Sequence, residues 1–199
     1  MTSTENARPD FAPTASAVAA VVAGVRDEQL TGPTPCPDMT VAALLHHLHG
    51  LTWAFTAAAE KSPEAGGTAP QADAAALPAA WRDEIPARLD TLAMAWADPE
   101  AWTGMTAAGG LDLPGEIAGT IALDEIVLHG WDLAVATGQT FSPDDDAVEA
   151  VHGFTAAMSA PGQEAGREGL FGPVVEVAAD ASRFHRALGF AGRDPHWTP

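Results

Sequence analysis

At 199 residues the chain is long enough for one domain with a sizeable core. Nine Lys and Arg against 27 Asp and Glu leave a net charge of −18, which argues against nucleic acid and anionic membrane as partners. Hydrophobic residues at 47% against charged residues at 18% are too many for a disordered acidic chain, so a soluble globular protein is expected.

The single cysteine, Cys36, rules out an internal disulfide and a Cys-based structural zinc site. No basic segment followed by an apolar run opens the chain, and no stretch approaches about 18 uninterrupted apolar residues, so a cytoplasmic location is expected. Abundant alanine and eight arginines to one lysine point to a GC-rich coding genome.

In chain order, Val18, Val21, Val22 and Val25 recur at helical spacing and predict a first amphipathic helix over Phe11–Glu28. Gly32, Pro33, Pro35 and Pro37 then form a rigid connector. Val41, Leu44, Leu45, Leu48, Leu51 and Phe55 predict a second helix from Thr40 to Glu60, with Asp38 or Thr40 as its cap. Ser62–Ala76 reads as a flexible surface loop whose job is connection. Trp81, Ile85, Leu89, Leu92, Met94 and Trp96 predict a third helix over Pro78–Ala97, kinked or delayed by Pro86. Residues 103–116 read as loop with a short extended piece. Pro114 suits the first turn of a fourth helix, which runs to Thr137 and ends at Gly138. A fifth helix follows, with Ser142 as cap, Pro143 in its first turn and an apolar stripe of Val148, Val151, Phe154 and Met158. A Gly-rich stretch, a short extended run at Val174–Val177 and an amphipathic turn around Phe184, Leu188 and Phe190 close the chain. The sum is an all-α protein: a four-helix bundle over 1–140 with a C-terminal helix and tail, 141–199, packed on the same domain.

The fourth helix is apolar around nearly its whole circumference, so it should be buried. With Ile121 at 0°, Asp132, Glu125 and His129 fall at about 20°, 40° and 80°, sharing one stripe. A buried carboxylate needs a counter-charge, and a divalent cation held by Glu125 and His129, one turn apart, is one way to supply it. The simpler reading is an i, i+4 hydrogen bond between the two on an exposed stripe. The second helix adds His46, His47 and His49 in LLHHLHG. On its wheel His47 is the most inward of the three, His49 lies at the opposite border of the apolar face and His46 faces water. His47, Glu125 and His129 therefore make a candidate two-His, one-carboxylate metal site with open positions. Asp132 is open to a fourth metal bond, a hydrogen bond to a ligand histidine or a cap, with the histidine bond favoured. His152, His185 and His196 read as solvated or hydrogen-bonded. Trp53, Trp81, Trp96, Trp102 and Trp131 read as core or pocket wall, and no positive neighbour supports a Cys36 thiolate.

The segments TPCPDMTVAALLHHLHG (34–50) and ALDEIVLHGWDLAVATGQ (122–139) resemble the metal-binding domain of the mycothiol-dependent maleylpyruvate isomerase family, within the DinB-like superfamily. The closing VEVAADASRFHRALGFAGRDP resembles the tail of its short actinobacterial members. Where Met39, Ala42 and Ala43 stand, members commonly carry Trp and an Arg–Asp pair. The resemblance implies that His47, Glu125 and His129 hold the ion, usually zinc, although such a set also accepts nickel, iron or manganese. It implies mycothiol as a thiol co-substrate. The expected function is then a metal-dependent S-transferase or isomerase in which the activated thiol attacks a small electrophile, with Asp132, or a pocket histidine, as catalytic proton handler. A non-catalytic metal or small-molecule binding protein and a metal-hydroxide hydrolase are the alternatives, and the chain is expected as a monomer or homodimer.

Overall fold

In a computed structural model, residues 8–37, 39–167 and 169–199 are described. Four helices form the bundle: α1 (Ala12–Ala23), α2 (Val41–Ala59), α3 (Trp81–Ala97) and α4 (Gly115–Ala136). Each of α1 and α2 packs against both α3 and α4, so sequential neighbours α1 and α2 sit on a diagonal and the Pro-rich connector crosses between them. The apolar positions read from the sequence meet in the middle: Val18, Val22, Leu44, Leu48, Ile85, Leu89, Leu123 and Leu133 are fully buried, each contributing about 1.5–3 kcal/mol of transfer free energy. At one end Phe11 stacks on Trp96 and meets Trp102 edge-on, while the Trp102 indole donates to the carbonyl of Trp96.

α1 is shorter than expected. It stops at Gly24 because the Gln139 side chain donates to the Val21 carbonyl (2.9 Å), satisfying a helix-end acceptor, and a separate 3-10 turn at Asp27–Gln29 follows. α2 begins where expected, capped by Thr40, which accepts from the Ala43 amide at 3.3 Å. The alternative cap, Asp38, lies outside the described residues. α3 carries Pro86 in its interior and starts at Trp81.

The segment read as loop is a hairpin, β1 (Met105–Ala108) paired antiparallel with β2 (Leu111–Pro114). Its two-residue turn, Gly109–Gly110, has φ of 60° and 83°, which the turn geometry matched to strand twist requires and glycine adopts freely. Pro114 consequently ends β2 rather than opening α4. Thr106 donates to the Ala58 carbonyl at 2.6 Å and so fastens the hairpin to α2. Lys61 reaches across to donate to the carbonyls of Glu100 and Thr103, closing the 3-10 turn that precedes the hairpin.

α5 (Asp145–Met158) packs on α4, and α7 (Arg183–Phe190) packs on α5, with a single turn, α6 (Glu164–Arg167), between them. The cap of α5 is Asp144, whose carboxylate accepts from the amides of Asp146 and Ala147, not Ser142. Of the four capping-competent side chains near this start, Ser142, Asp144, Asp145 and Asp146, Asp144 is the one that Thr14 of α1 also hydrogen-bonds. Two apolar assignments also change. Trp53 is 49% exposed and Met94 68% exposed, because each falls on the outer face of its helix. Among the described residues no helix is long and apolar enough to cross a membrane.

Candidate metal centre

α4 is buried on almost every side, and Glu125, His129 and Asp132 share one stripe of it, as the wheel predicts, with Asp124 and Glu116 off that stripe. His129 stands between two carboxylates: its Nε2 lies 3.1 Å from Glu125 Oε2, one turn back, and its Nδ1 lies 3.0 Å from Asp132 Oδ2. From the facing helix α2, His47 brings its ring edge-on to His129 at 5.1 Å and its Nε2 to 3.9 Å from Glu125 Oε2. His47, Glu125 and His129 thus offer ligand atoms within 4.8 Å of one another.

His47 is held from behind. Its Nδ1 lies 3.2 Å from the carbonyl of Pro70, and a carbonyl only accepts, so Nδ1 carries the proton and the Nε2 lone pair is free. Pro70 belongs to the segment read as a mere connector. It approaches α2 closely because residue 50 is glycine: a Cβ there would stand 2.6 Å from Pro70 Cβ. His46, expected to face water, is half-buried instead and accepts from the Asp73 amide at 3.1 Å, a second tie between this segment and α2. His49 pairs with Glu84 of α3 at 2.8 Å.

The Asp132 side is closed. Asp132 is fully buried, and its Oδ2 accepts from His129, from Cys36 Sγ (3.0 Å) and from Arg193 Nη2 (3.0 Å). Arg193 comes from the tail beyond α7 and is itself buried, with Nη2 also 3.5 Å from Cys36 Sγ. Cys36 therefore has a positive neighbour after all, one that lies 157 residues away in sequence. The opposite side stays accessible, with the side chains of His47 and Glu125 15% and 19% exposed.

These contacts set the charges. Burial disfavours the Asp132 carboxylate, but the Arg193 charge and the His129 bond outweigh it and draw the pKa down to about 2. Burial also disfavours a charged His129, yet its bonds to Asp132, Cys36 and Glu125 hold it protonated well above the ordinary imidazole range. Glu125 is kept ionised against burial by His129 and His47. Burial, aided by the positive His129, pushes His47 towards the neutral form. Asp124, next to Glu125, is buried with no hydrogen-bond partner for Oδ1 among the described residues; burial and the adjacent Glu125 charge raise its pKa well above the carboxylate range.

The donor set fits a divalent ion. Tetrahedral N and O ligands stand about 3.3–3.5 Å apart around zinc, close to the spacing of Glu125 with its two histidines. Each histidine has its other nitrogen fixed, His47 by Pro70 and His129 by Asp132, the outer support that metal-ligating imidazoles ordinarily have. Of the other histidines, His152 lies against Phe190 and His185 against His196, away from this set. Trp131 is buried on α4 but on a different face from His129, whereas Trp53 is half exposed. Two open cavities of about 310 Å³ lie elsewhere, one between α1 and the residues after α4, the other beside α7. Sequence reasoning missed Arg193 and the Pro70 carbonyl. The first lacks any local pattern, and the second is a backbone group that no residue type announces.

Fold and site together define a helical-bundle protein with an intramolecular two-His, one-carboxylate cluster suited to a metal. The sequence profile described as the mycothiol maleylpyruvate isomerase N-terminal domain matches residues 11–134, and the chain belongs to that family. It is also similar to two uncharacterized proteins of Mycobacterium tuberculosis, one from strain CDC 1551 and one from strain H37Rv. Each is 33% identical over 159 residues, covering 74% of this chain and 75% of its own length. No solved structure matches the chain significantly.

Proposed function

We propose that the chain is a metal-dependent enzyme that transfers or isomerises through a small thiol, mycothiol being the thiol that the family name suggests. The observation that carries this reading is the convergence of His47, Glu125 and His129 on the accessible side of an otherwise closed cluster. His47, Glu125 and His129 would hold a divalent ion, with zinc favoured, which would supply Lewis acidity to lower the pKa of a thiol.

The chain's own residues do the rest. Pro70 fixes the His47 tautomer so that Nε2 presents its lone pair, and Asp132 does the same for His129 by accepting at Nδ1. Glu125 supplies the negative charge that offsets a divalent cation. Asp132, with both oxygens engaged by Arg193 and a pKa drawn to about 2, is a positioning residue in this scheme and not a proton carrier. The proton of an incoming thiol would pass to solvent on the accessible side, where His47 and Glu125 are partly exposed.

The test is metal analysis of purified protein, then calorimetric titration of mycothiol into loaded and chelator-stripped forms, with circular dichroism to verify folding. Stoichiometric metal lost on His47→Ala and His129→Ala, and thiol binding that requires the metal, support the proposal. Equal thiol affinity in both forms refutes the mechanism. Turnover of an electrophile without thiol would point to a hydrolase, and binding without any turnover to a binding protein.

A further inference from the structure

Two donor sets share His129. Beyond His47 and Glu125 on its Nε2 side, Cys36 Sγ and Asp132 Oδ2 gather on its Nδ1 side, again with ligand atoms within 4.8 Å of one another. A thiol, an imidazole and a carboxylate at that spacing suit zinc or cobalt as well as the first set does. Arg193 makes the difference between them. Its Nη2 lies 3.0 Å from Asp132 Oδ2 and 3.5 Å from Cys36 Sγ, and its Nε points at Asp132 Oδ1 at 3.4 Å. Nη1 is spent on the carbonyl of Ala191 in the same tail, which fixes the plane of the group. A guanidinium cannot lose its proton and spreads five donors in a rigid fork, so it serves as a permanent cation for exactly the donors a metal would need.

We infer that Arg193 is a built-in counter-cation: it fills the Cys36–His129–Asp132 recess, bars that recess to metal, and leaves the His47–Glu125–His129 face as the site open to an ion. The last clause rests on the function proposed above; the first two do not. Without the guanidinium, the recess becomes a metal site in which Cys36 ligates as thiolate and His129 through Nδ1, the thiol proton and the Nδ1 proton passing to solvent; with an ion on each side His129 bridges the two as imidazolate.

Cobalt titration of the full chain, followed by absorption spectroscopy, tests this on wild type, Arg193→Gln, Arg193→Lys and the double variant Arg193→Gln with Cys36→Ser, each verified by far-ultraviolet circular dichroism. Wild type should saturate with one equivalent and show no thiolate-to-cobalt charge-transfer band in the near ultraviolet. Arg193→Gln should develop that band and take a second equivalent, and adding Cys36→Ser should abolish both. The lysine head is too compact to engage Asp132 and Cys36 together. Arg193→Lys should therefore show the band at higher cobalt, which covers the case in which the glutamine variant fails to fold. A thiolate band already in wild type, or none in either Arg193 variant, overturns the inference. If wild type takes no cobalt while Arg193→Gln gains the Cys36-dependent band, the recess assignment stands and the metal reading of the His47 face falls.

Discussion

Replacing Asp132 by Asn keeps the size of the side chain and removes its charge. Asp132 is fully exclusive of solvent, and Arg193 is 9% exposed, so the variant strands a buried guanidinium against a neutral amide. Two routes give the magnitude. A carboxyl pKa drawn from 3.8 to about 2 expresses a preference of about 2 kcal/mol for the ionised form in the fold. Removing one partner of a buried ion pair costs about 3–5 kcal/mol, because the other charge is left uncompensated. Metal-free Asp132→Asn should therefore lose about 2–5 kcal/mol. With a urea m-value of about 2 kcal/mol/M the midpoint falls by about 1–2.5 M at unchanged slope. The folded pKa lies below the unfolded one, so the stability that Asp132 contributes is complete above about pH 4 and gone near pH 2, and the variant should lack that part of the acid dependence. Combining Asp132→Asn with Arg193→Met should recover part of the loss, since no charge then remains unpaired. A single variant within 1 kcal/mol of wild type at pH 7 would refute the buried pair.

Because His47 is pushed neutral, Glu125 is ionised and His129 is held protonated, metal uptake at pH 7 should release about one proton, from His129; calorimetry in buffers of different ionisation enthalpy counts it, and a count of zero contradicts this assignment. In the metal-free protein, the stability due to the His129 charge is complete below the unfolded imidazole pKa and is lost as pH rises through the higher folded one, so alkaline denaturation midpoints should fall and zinc should restore them. Gly50→Leu should push residues 69–71 off α2, free His47 Nδ1 and weaken metal binding about tenfold in a competition assay while the helical content persists. His46→Ala, which removes an acceptor for the Asp73 amide, should cost about 1 kcal/mol of stability and leave metal stoichiometry unchanged, whereas His47→Ala should lose the metal; equal losses would reverse the helix phase.

Much of this arrangement was legible because it is local. The apolar spacing of α2 and α4 located both helices, and 100° geometry alone put Glu125, His129 and Asp132 on one stripe and turned His47 inward, where the structure brings it to Glu125. Gly109–Gly110 between short apolar runs carried a hairpin signal that the looser reading as loop did not use. Other parts could not be read locally. Arg193 meets Asp132 across 61 positions and Cys36 across 157, separations at which no periodicity helps. Pro70 contributes through its backbone, and Ser142 lost the α5 cap to Asp144 because docking against Thr14 of α1 decides the start. Trp53 shows the limit of composition: a large apolar residue is usually inside, yet helix phase left this one half in water.

Lys61 holds the chain's one ε-amino group, and both of its hydrogen bonds go to carbonyls that close the turn before the hairpin. Amine-directed chemistry, whether a fluorophore ester, a surface coupling or an acyl donor in the cell, thus finds a single side-chain target, and that target is engaged. Acylation there replaces a cation with three donors by an amide with one, so it cannot keep both carbonyls. Labelling through lysine would loosen the turn at Pro99–Trp102 and with it the anchorage of the hairpin. The side-chain thiol, normally the gentler handle, is no substitute, because Cys36 is bonded to Asp132 and Arg193. A reporter group is better introduced at a new cysteine on the outer face of α3, where Met94 already stands in solvent.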